Sequence, residues 1–377
     1  MKTLLCIIVA IGFLTLPVLA EDVKVDFKGS RLAAGYMDNG KDNPATVAKE
    51  NPGTFGVPDA KARFNVAFDE DTSAVLRLTF SNAVAGGADY AYVKVANVIK
   101  KMAKNDMVNP DIYVGKMKIN FGEETFNDNP VEGALVQNSI GLINGYDMGV
   151  EFRQKALPIE LPVVLGYAVG FGNGNTGAAD GNNTKAYTMK VMATMKSMPL
   201  YFSLSQYGSG NMPAANTAAL GSTVCPFVTT QPWYMKGYEL DVRYDMLEGA
   251  QKFDPAKAPL FSDAKGVFRL AYGTLTLGAT GLTTASNTTR GNVMLDAIYN
   301  VDKQWYVAFR YSYTDVDVKG VTTGDVGKTT RMSVGGGHRL SDSAILKLDY
   351  TTNAEADTVS NPKLDNDSVS LLMTVKW

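Results

Sequence analysis

Ser368-Val369-Ser370-Leu371-Leu372-Met373-Thr374-Val375-Lys376-Trp377 ends the chain. In an extended strand, successive side chains point to opposite faces. Val369, Leu371, Met373, Val375 and Trp377 therefore share one face, and Ser368, Ser370, Leu372, Thr374 and Lys376 share the other. One face is apolar and ends on a large aromatic residue. The other is mostly polar. The segment reads as an amphipathic strand, compatible with a soluble sandwich or with a barrel whose apolar face meets lipid.

Working outward, the alternation recurs along the whole chain, with turn-rich stretches between the repeats. Sixteen segments carry it: 22–34, 59–69, 73–83, 89–97, 110–121, 145–154, 162–172, 185–197, 199–208, 232–246, 265–278, 291–300, 304–315, 328–338, 343–352 and 367–377. Sixteen half-apolar strands would require two stacked sheets of unusual size in a soluble protein. The expectation is an all-β, closed, antiparallel transmembrane barrel of about sixteen strands. A slipped count at the long gaps gives fourteen or eighteen. A strand that ends on its final aromatic resembles the closing strand of bacterial outer-membrane barrels. That resemblance implies recognition of Trp377 by the barrel assembly machinery.

Residues 1–20 have the layout of a secretory signal peptide. Lys2 is the basic residue, Leu4–Leu16 the apolar run, and Val18-Leu19-Ala20 a small-residue cleavage site. The expected division is a leader over 1–20 and an outer-membrane β-barrel over 21–377. Beyond the leader no stretch approaches the ~20 apolar residues of a spanning helix, and a closed barrel is the other way to satisfy every backbone group in lipid. Loss of Lys2 moves the net charge from −2 to −3, so composition gives no case for a nucleic-acid partner. Cys225 is then the single thiol, which excludes an internal disulfide.

With the N-terminus taken as periplasmic, the gaps at Asp69–Thr72, Ser197–Pro199, Val301–Lys303 and Arg339–Ser343 are short periplasmic turns. Those at Gly35–Pro58, Gly122–Gly145, Gly208–Gln231 and Thr351–Asn366 are longer external loops. This asymmetry is the transmembrane-barrel pattern. Val98–Asn109 and Glu248–Ala264 depart from it, being long gaps on the periplasmic side. Tyr113, Tyr146, Phe152, Tyr187, Tyr234, Tyr299, Trp305, Tyr313 and Tyr350 are assigned to outward aromatic girdles.

Between residues 89 and 175 a family resemblance emerges. Tyr113-Val114-Gly115-Lys116-Met117-Lys118-Ile119-Asn120-Phe121-Gly122 is followed by Asp147-Met148-Gly149-Val150 and by Gly170-Phe171-Gly172-Asn173-Gly174. These resemble the Gly-Lys-aromatic-Lys-x-Pro-Phe-Gly, Asp-x-Gly-Val and Gly-x-Phe-Asn-Gly motifs of the phosphate-selective porin O/P type. Asn120 stands at the usual Pro, and Met117 at the aromatic. The resemblance implies a sixteen-stranded, usually trimeric Gram-negative outer-membrane porin, without a cofactor.

A charge on the lipid face at mid-bilayer costs about 2–4 kcal/mol per Lys or Arg, so the basic strand residues are assigned to the lumen. Lys61, Arg63, Arg77, Lys116, Lys118 and Arg153 are the expected pore-lining residues, with Lys116 and Lys118 as the main anion site. The third external gap, 122–145, is expected to fold inward as a constriction loop. It presents Glu123, Glu124, Asp128 and Glu132 and no Lys or Arg. The expected function is passive diffusion of small hydrophilic solutes and ions with weak anion preference. The rival is a surface-exposed structural or adhesive barrel without an open pore. His338 is the only histidine, which leaves little for a Ser-His pair or a His-based metal site, so no enzyme and no metal are expected. Asp38–Asp42 and Asp365–Asp367 are read as solvated turns.

Overall fold

The computed structural model describes residues 23–37, 53–80, 87–103, 107–123, 129–139, 145–174, 184–212, 233–249, 251–279, 287–318, 328–355 and 367–377. The expected leader, Glu124, Asp128, Cys225, Asp38–Asp42, Asp365 and Asn366 lie outside them. The strands are β1 (Lys24–Asp26), β2 (Arg31–Met37), β3 (Thr54–Ala67), β4 (Thr72–Thr79), β5 (Gly87–Val95), β6 (Asp111–Lys118), β7 (Tyr146–Gln154), β8 (Val163–Gly172) and β9 (Ala186–Met195). They continue with β10 (Leu200–Met212), β11 (Trp233–Met246), β12 (Gly266–Ala279), β13 (Asn287–Asn300), β14 (Trp305–Val318), β15 (Thr329–Arg339), β16 (Ala344–Glu355) and β17 (Ser368–Lys376). A short helix, α1 (Val98–Ala103), lies between β5 and β6.

From β2 to β17 each strand pairs antiparallel with the next. β17 pairs back to β2, with Lys376 opposite Arg31 and Ser370 opposite Met37, and closes a sixteen-stranded ring. Closure removes the unpaired edges. β1 stands outside that count. It lies against the far end of β3 (Lys24 opposite Ala67, Asp26 opposite Asn65) and continues the line of β2 after a break at Phe27–Ser30. Gly29, with φ +91°, allows that break, because a side chain there would be strained and would press on Arg63.

Three of the short connections share one device. Asp69 Oδ1 accepts the backbone N–H groups of Asp71 and Thr72 (2.8 and 2.6 Å). Asp302 Oδ1 accepts those of Gln304 and Trp305 (both 2.6 Å). Ser341 Oγ accepts those of Ser343 and Ala344 (3.2 and 3.1 Å). Each side chain replaces the backbone acceptor that a tight turn lacks. The two long connections on this side differ from one another. α1 and its flanks are tied to the neighbouring turn through Asp71, which accepts from Asn97 (2.6 Å) and pairs with Lys101. Residues 251–264 run into the barrel, where Leu260 is completely buried.

Cross-strand partners share a face. Phe309, Val334, Tyr350 and Val369 form one course across four strands, and Leu348–Leu371 and Leu346–Met373 form two more; all are exposed. Exposed apolar surface far beyond a few hundred Å² is not sustained in water. This belt is a lipid-facing surface. Trp305, Tyr299, Tyr244 and Phe268 are exposed toward its short-turn margin.

Candidate functional site: the lumen and its inward loop

The segment joining β6 and β7 enters the barrel. Its first limb leans on the inner wall of β9–β12. Phe121 is buried among Ala186, Tyr207, Met235, Leu275 and Leu277. Lys190 Nζ donates to the Gly122 carbonyl (2.7 Å) and pairs with Glu123 (2.7 Å), whose carboxylate also accepts from the Tyr201 hydroxyl (2.5 Å). Burial raises the Glu123 carboxyl, but Lys190 and Tyr201 outweigh it and hold the group below its usual range.

Residues 129–139 then dock on β14–β17 and β2, which lie across the ring from β6 and β7. Most of that grip is on the loop's main chain. Lys347 Nζ donates to the carbonyls of Pro130, Val131 and Gly133 (2.7, 3.1 and 2.7 Å). Asp349 Oδ2 accepts the N–H of Val136 (2.6 Å). Tyr306, Arg310 and Arg331 donate to the carbonyls of Ala134, Gln137 and Asn138 (2.9, 3.0 and 2.8 Å). Val131 and Val136 pack on Ala33 and Leu372, and Ala134 and Leu135 pack above Ile298, Tyr306 and Ile345. The segment therefore crosses the lumen.

The wall from β3 to β7 keeps a different surface. Four tyrosines run along it edge to face: Tyr146 to Tyr90 (5.4 Å between ring centres), Tyr90 to Tyr92 (5.8 Å) and Tyr92 to Tyr113 (5.7 Å). Cations lie against them. The Arg77 guanidinium is 3.9 Å from the centre of Tyr90, and that of Arg153 is 4.9 Å from Tyr113. Lys61 and Lys118 are each 5.9 Å from Tyr146. Acids interleave. Arg77 forks onto Asp89 (2.8 and 2.9 Å) and reaches the Tyr146 hydroxyl (2.8 Å). Lys61 binds the same Asp89 (2.7 Å), and Arg153 pairs with Glu151 (2.5 Å). Arg63 donates to Asn65 (2.7 Å) and stands opposite Arg77 in the ladder.

Three expected placements come out differently. Tyr113 and Tyr146 stand among these wall charges and not in the outward girdle. Tyr113 pairs across the ladder with Lys94 and Glu151, so the charges fix its face. Lys116 then falls on the other parity. Its ladder partners Ala91 and Met148 are exposed, and its ammonium turns to the Ala88 carbonyl (3.0 Å). Lys118 is buried beside Tyr146, so the two lysines do not stand together as one site. The described loop acids do not face the basic wall across open space. Glu123 is paired with Lys190, and Glu132 with Arg31 (3.5 Å) and Lys376 (2.9 Å). An unbroken chain of pairs runs from Glu132 through Arg31, Asp59, Lys61 and Asp89 to Arg77.

The motifs that carried the family resemblance form a structural joint. Asp147 Oδ2 accepts the N–H of Gly174 (2.7 Å), where φ is +74°. At Gly149 an added Cβ would meet the Phe171 carbonyl at 2.0 Å. Alternation puts Lys190, Lys347 and Asp349 on the lumen face, as the structure does, but not their hold on the loop main chain; Asp89 and Tyr90 are the wall residues that sequence reading passed over.

The chain matches no family model and no curated protein sequence. Its structure resembles OmpT, an outer-membrane protein of Vibrio cholerae (TM-score 0.62, 12% identity, 96% of this chain and 99% of that one). It also resembles the outer-membrane channel DcaP of Acinetobacter baumannii (0.61, 12%, 94% and 97%). A third likeness is to an anion-selective porin from Comamonas acidovorans (0.60, 11%, 94% and 100%). The fold is that of an outer-membrane barrel. At these identities the likeness is one of architecture, and the apolar belt independently requires the same lipid setting.

Proposed function

We propose that this protein is an outer-membrane porin that passes small hydrophilic solutes and ions by passive diffusion, with weak anion preference and no enzymatic activity. The observation that carries the reading is the loop between β6 and β7. It crosses to β14–β2 and leaves the Tyr and cation wall of β3–β7 partly open, with Lys94 and Arg153 32% and 25% exposed. A narrow passage with low-dielectric walls amplifies the field of such charges. Wall acids and paired loop glutamates offset much of it, which supports a weak preference over a tight phosphate site. Single-channel recording in a salt gradient tests this. Stepwise conductance with a reversal potential on the anion side is expected. Strong cation preference would refute the anion reading.

A homotrimer is part of the proposal. β4 and β6 have eight residues each, against fourteen in β11–β14. Eight residues give about 26 Å of strand, or about 20 Å of height at a tilt of about 40°, short of the ~25 Å apolar band. A low wall of this kind is shielded when it faces another protein copy. OmpT of Vibrio cholerae has been solved in a trimer form. The rival, a plugged barrel of structural or adhesive role, draws support from the buried inner wall of β9–β17. It predicts no conductance at all.

A further inference from the structure

The connection between β11 and β12 is far longer than a strand hairpin needs, since two to five residues suffice. Its course across the barrel mouth is fixed by the wall. Arg243, on the inner face of β11, donates to the carbonyls of Pro255 and Lys257 (3.4 and 2.6 Å). Ser262 donates to Asp245 on the same strand (2.5 Å). Arg339, at the end of β15, donates to the Leu260 carbonyl (3.1 Å). The connection therefore reaches from β11 to β15, four strands away around the ring.

Its tip meets the inward loop. Leu260 lies in one apolar cluster with Ala134 and Leu135 of that loop and with Val267, Ile298, Tyr306, Ala308 and Ile345 of the wall. Two side chains hold both loops at once. Lys376 binds Glu132 (2.9 Å) and lies 4.7 Å from the ring centre of Phe261. Tyr306 donates to the Ala134 carbonyl (2.9 Å), and its ring lies 5.2 Å from the Arg339 guanidinium that binds Leu260. The wall charges follow the same division. Lys190, Arg269 and Arg310 are 2–4% exposed, whereas Lys94 and Arg153 on β5 and β7 are 32% and 25% exposed, beside Lys118 and Glu151, which are buried.

We infer that residues 251–264 are a second constriction element. It enters from the short-turn mouth, buttresses the loop between β6 and β7, and confines permeation to the β3–β7 side. Leu260 is its keystone, and Arg243 and Arg339 are positioning residues. Pore cross-section is thus set jointly by two loops that meet inside the barrel.

This inference rests on the pore reading above, and one set of recordings separates the two. Wild-type protein, a variant with residues 252–261 replaced by a short Gly-Ser linker, Leu260→Asp and Leu260→Met are refolded in detergent. Folded barrel is identified by heat-modifiable migration, and single-channel conductance is measured in a planar bilayer. Conductance per channel does not depend on how much protein folds. The linker variant and Leu260→Asp should show higher conductance and admit larger uncharged sugars in liposome swelling. Leu260→Met keeps an apolar tip and should match the wild type. If the linker variant fails to assemble, Leu260→Asp decides. A conducting wild type with unchanged conductance in the assembled variants overturns the inference and leaves the pore reading standing. No conductance from any of the proteins overturns the pore reading itself.

Discussion

Glu132 sits where the inward loop meets the end of the wall's charge chain. Burial raises its carboxyl, but Arg31 and Lys376 outweigh burial and hold it below its usual 4.5. A carboxyl lowered in the docked state favours docking in its ionised form. That contribution is complete above the ordinary glutamate range and is lost as pH falls through the lowered value. Channel conductance should therefore be steady from about pH 7 to about pH 5 and change only in more acid solution. Glu132→Gln should remove the acid response and loosen the loop already at neutral pH. An acid response that survives in Glu132→Gln would assign it to another carboxyl. Arg77 offers a second test at this scale. It is stacked on Tyr90 and forked onto Asp89, a geometry that a lysine does not reproduce. Arg77→Gln should move the reversal potential toward cations, and Arg77→Lys should recover only part of the shift.

At the scale of the element, β16 is the main clamp. Lys347 and Asp349 are two residues apart on its inner face, so one binds loop carbonyls and the other loop N–H groups. Lys347→Met would leave three loop carbonyls, two of them buried, without their donor, at a cost of about 1–3 kcal/mol in urea unfolding from lipid vesicles. The same variant should raise conductance and current noise. Deleting part of 129–139 should widen the channel further, and unchanged sugar permeation in the deletion would place the narrowest level elsewhere. The strands themselves were legible because lipid and lumen impose a strict period of two. Every expected segment has a counterpart in the ring, and the broken β1–β2 pair reads as one alternating run. Faces were harder to assign near strand ends. An aromatic residue suits a membrane interface and a polar lumen alike, so alternation could not tell whether Tyr113 belongs with lipid or with Arg153. The receiving surface for the two loops left a trace in the sequence. Toward the short turns the charged face of β12–β16 turns apolar, from Arg269 to Val267, from Asp296 to Ile298 and from Lys347 to Ile345. Such residues inside a water-filled wall call for a covering segment, but which segment covers them depends on contacts distant in sequence.

On the scale of the whole molecule, the seam joins the first and last strands of the ring. The Trp377 carbonyl accepts from the Gly29 N–H (2.6 Å), and the Trp377 N–H donates to the Ser30 carbonyl (3.1 Å), so the break between β1 and β2 is stapled to the final residue. Folded protein should migrate faster than boiled protein on a denaturing gel and give a β-rich circular dichroism spectrum. Trp377→Asp puts a charge on an exposed, lipid-facing ring position and should reduce the heat-modifiable fraction. Equal assembly of this variant would show that backbone pairing alone closes the seam. The clamp on the inward loop also bears on how the protein can diverge. Lys347, Asp349, Tyr306, Arg310 and Arg331 all hold main-chain atoms, which every amino acid supplies except for the N–H that proline lacks at position 136. Substitutions along the loop's free face can therefore accumulate without rerouting it. A lineage carrying this barrel could exchange one set of filter side chains for another while inheriting the frame unchanged, and an engineer could graft selectivity onto it by the same route.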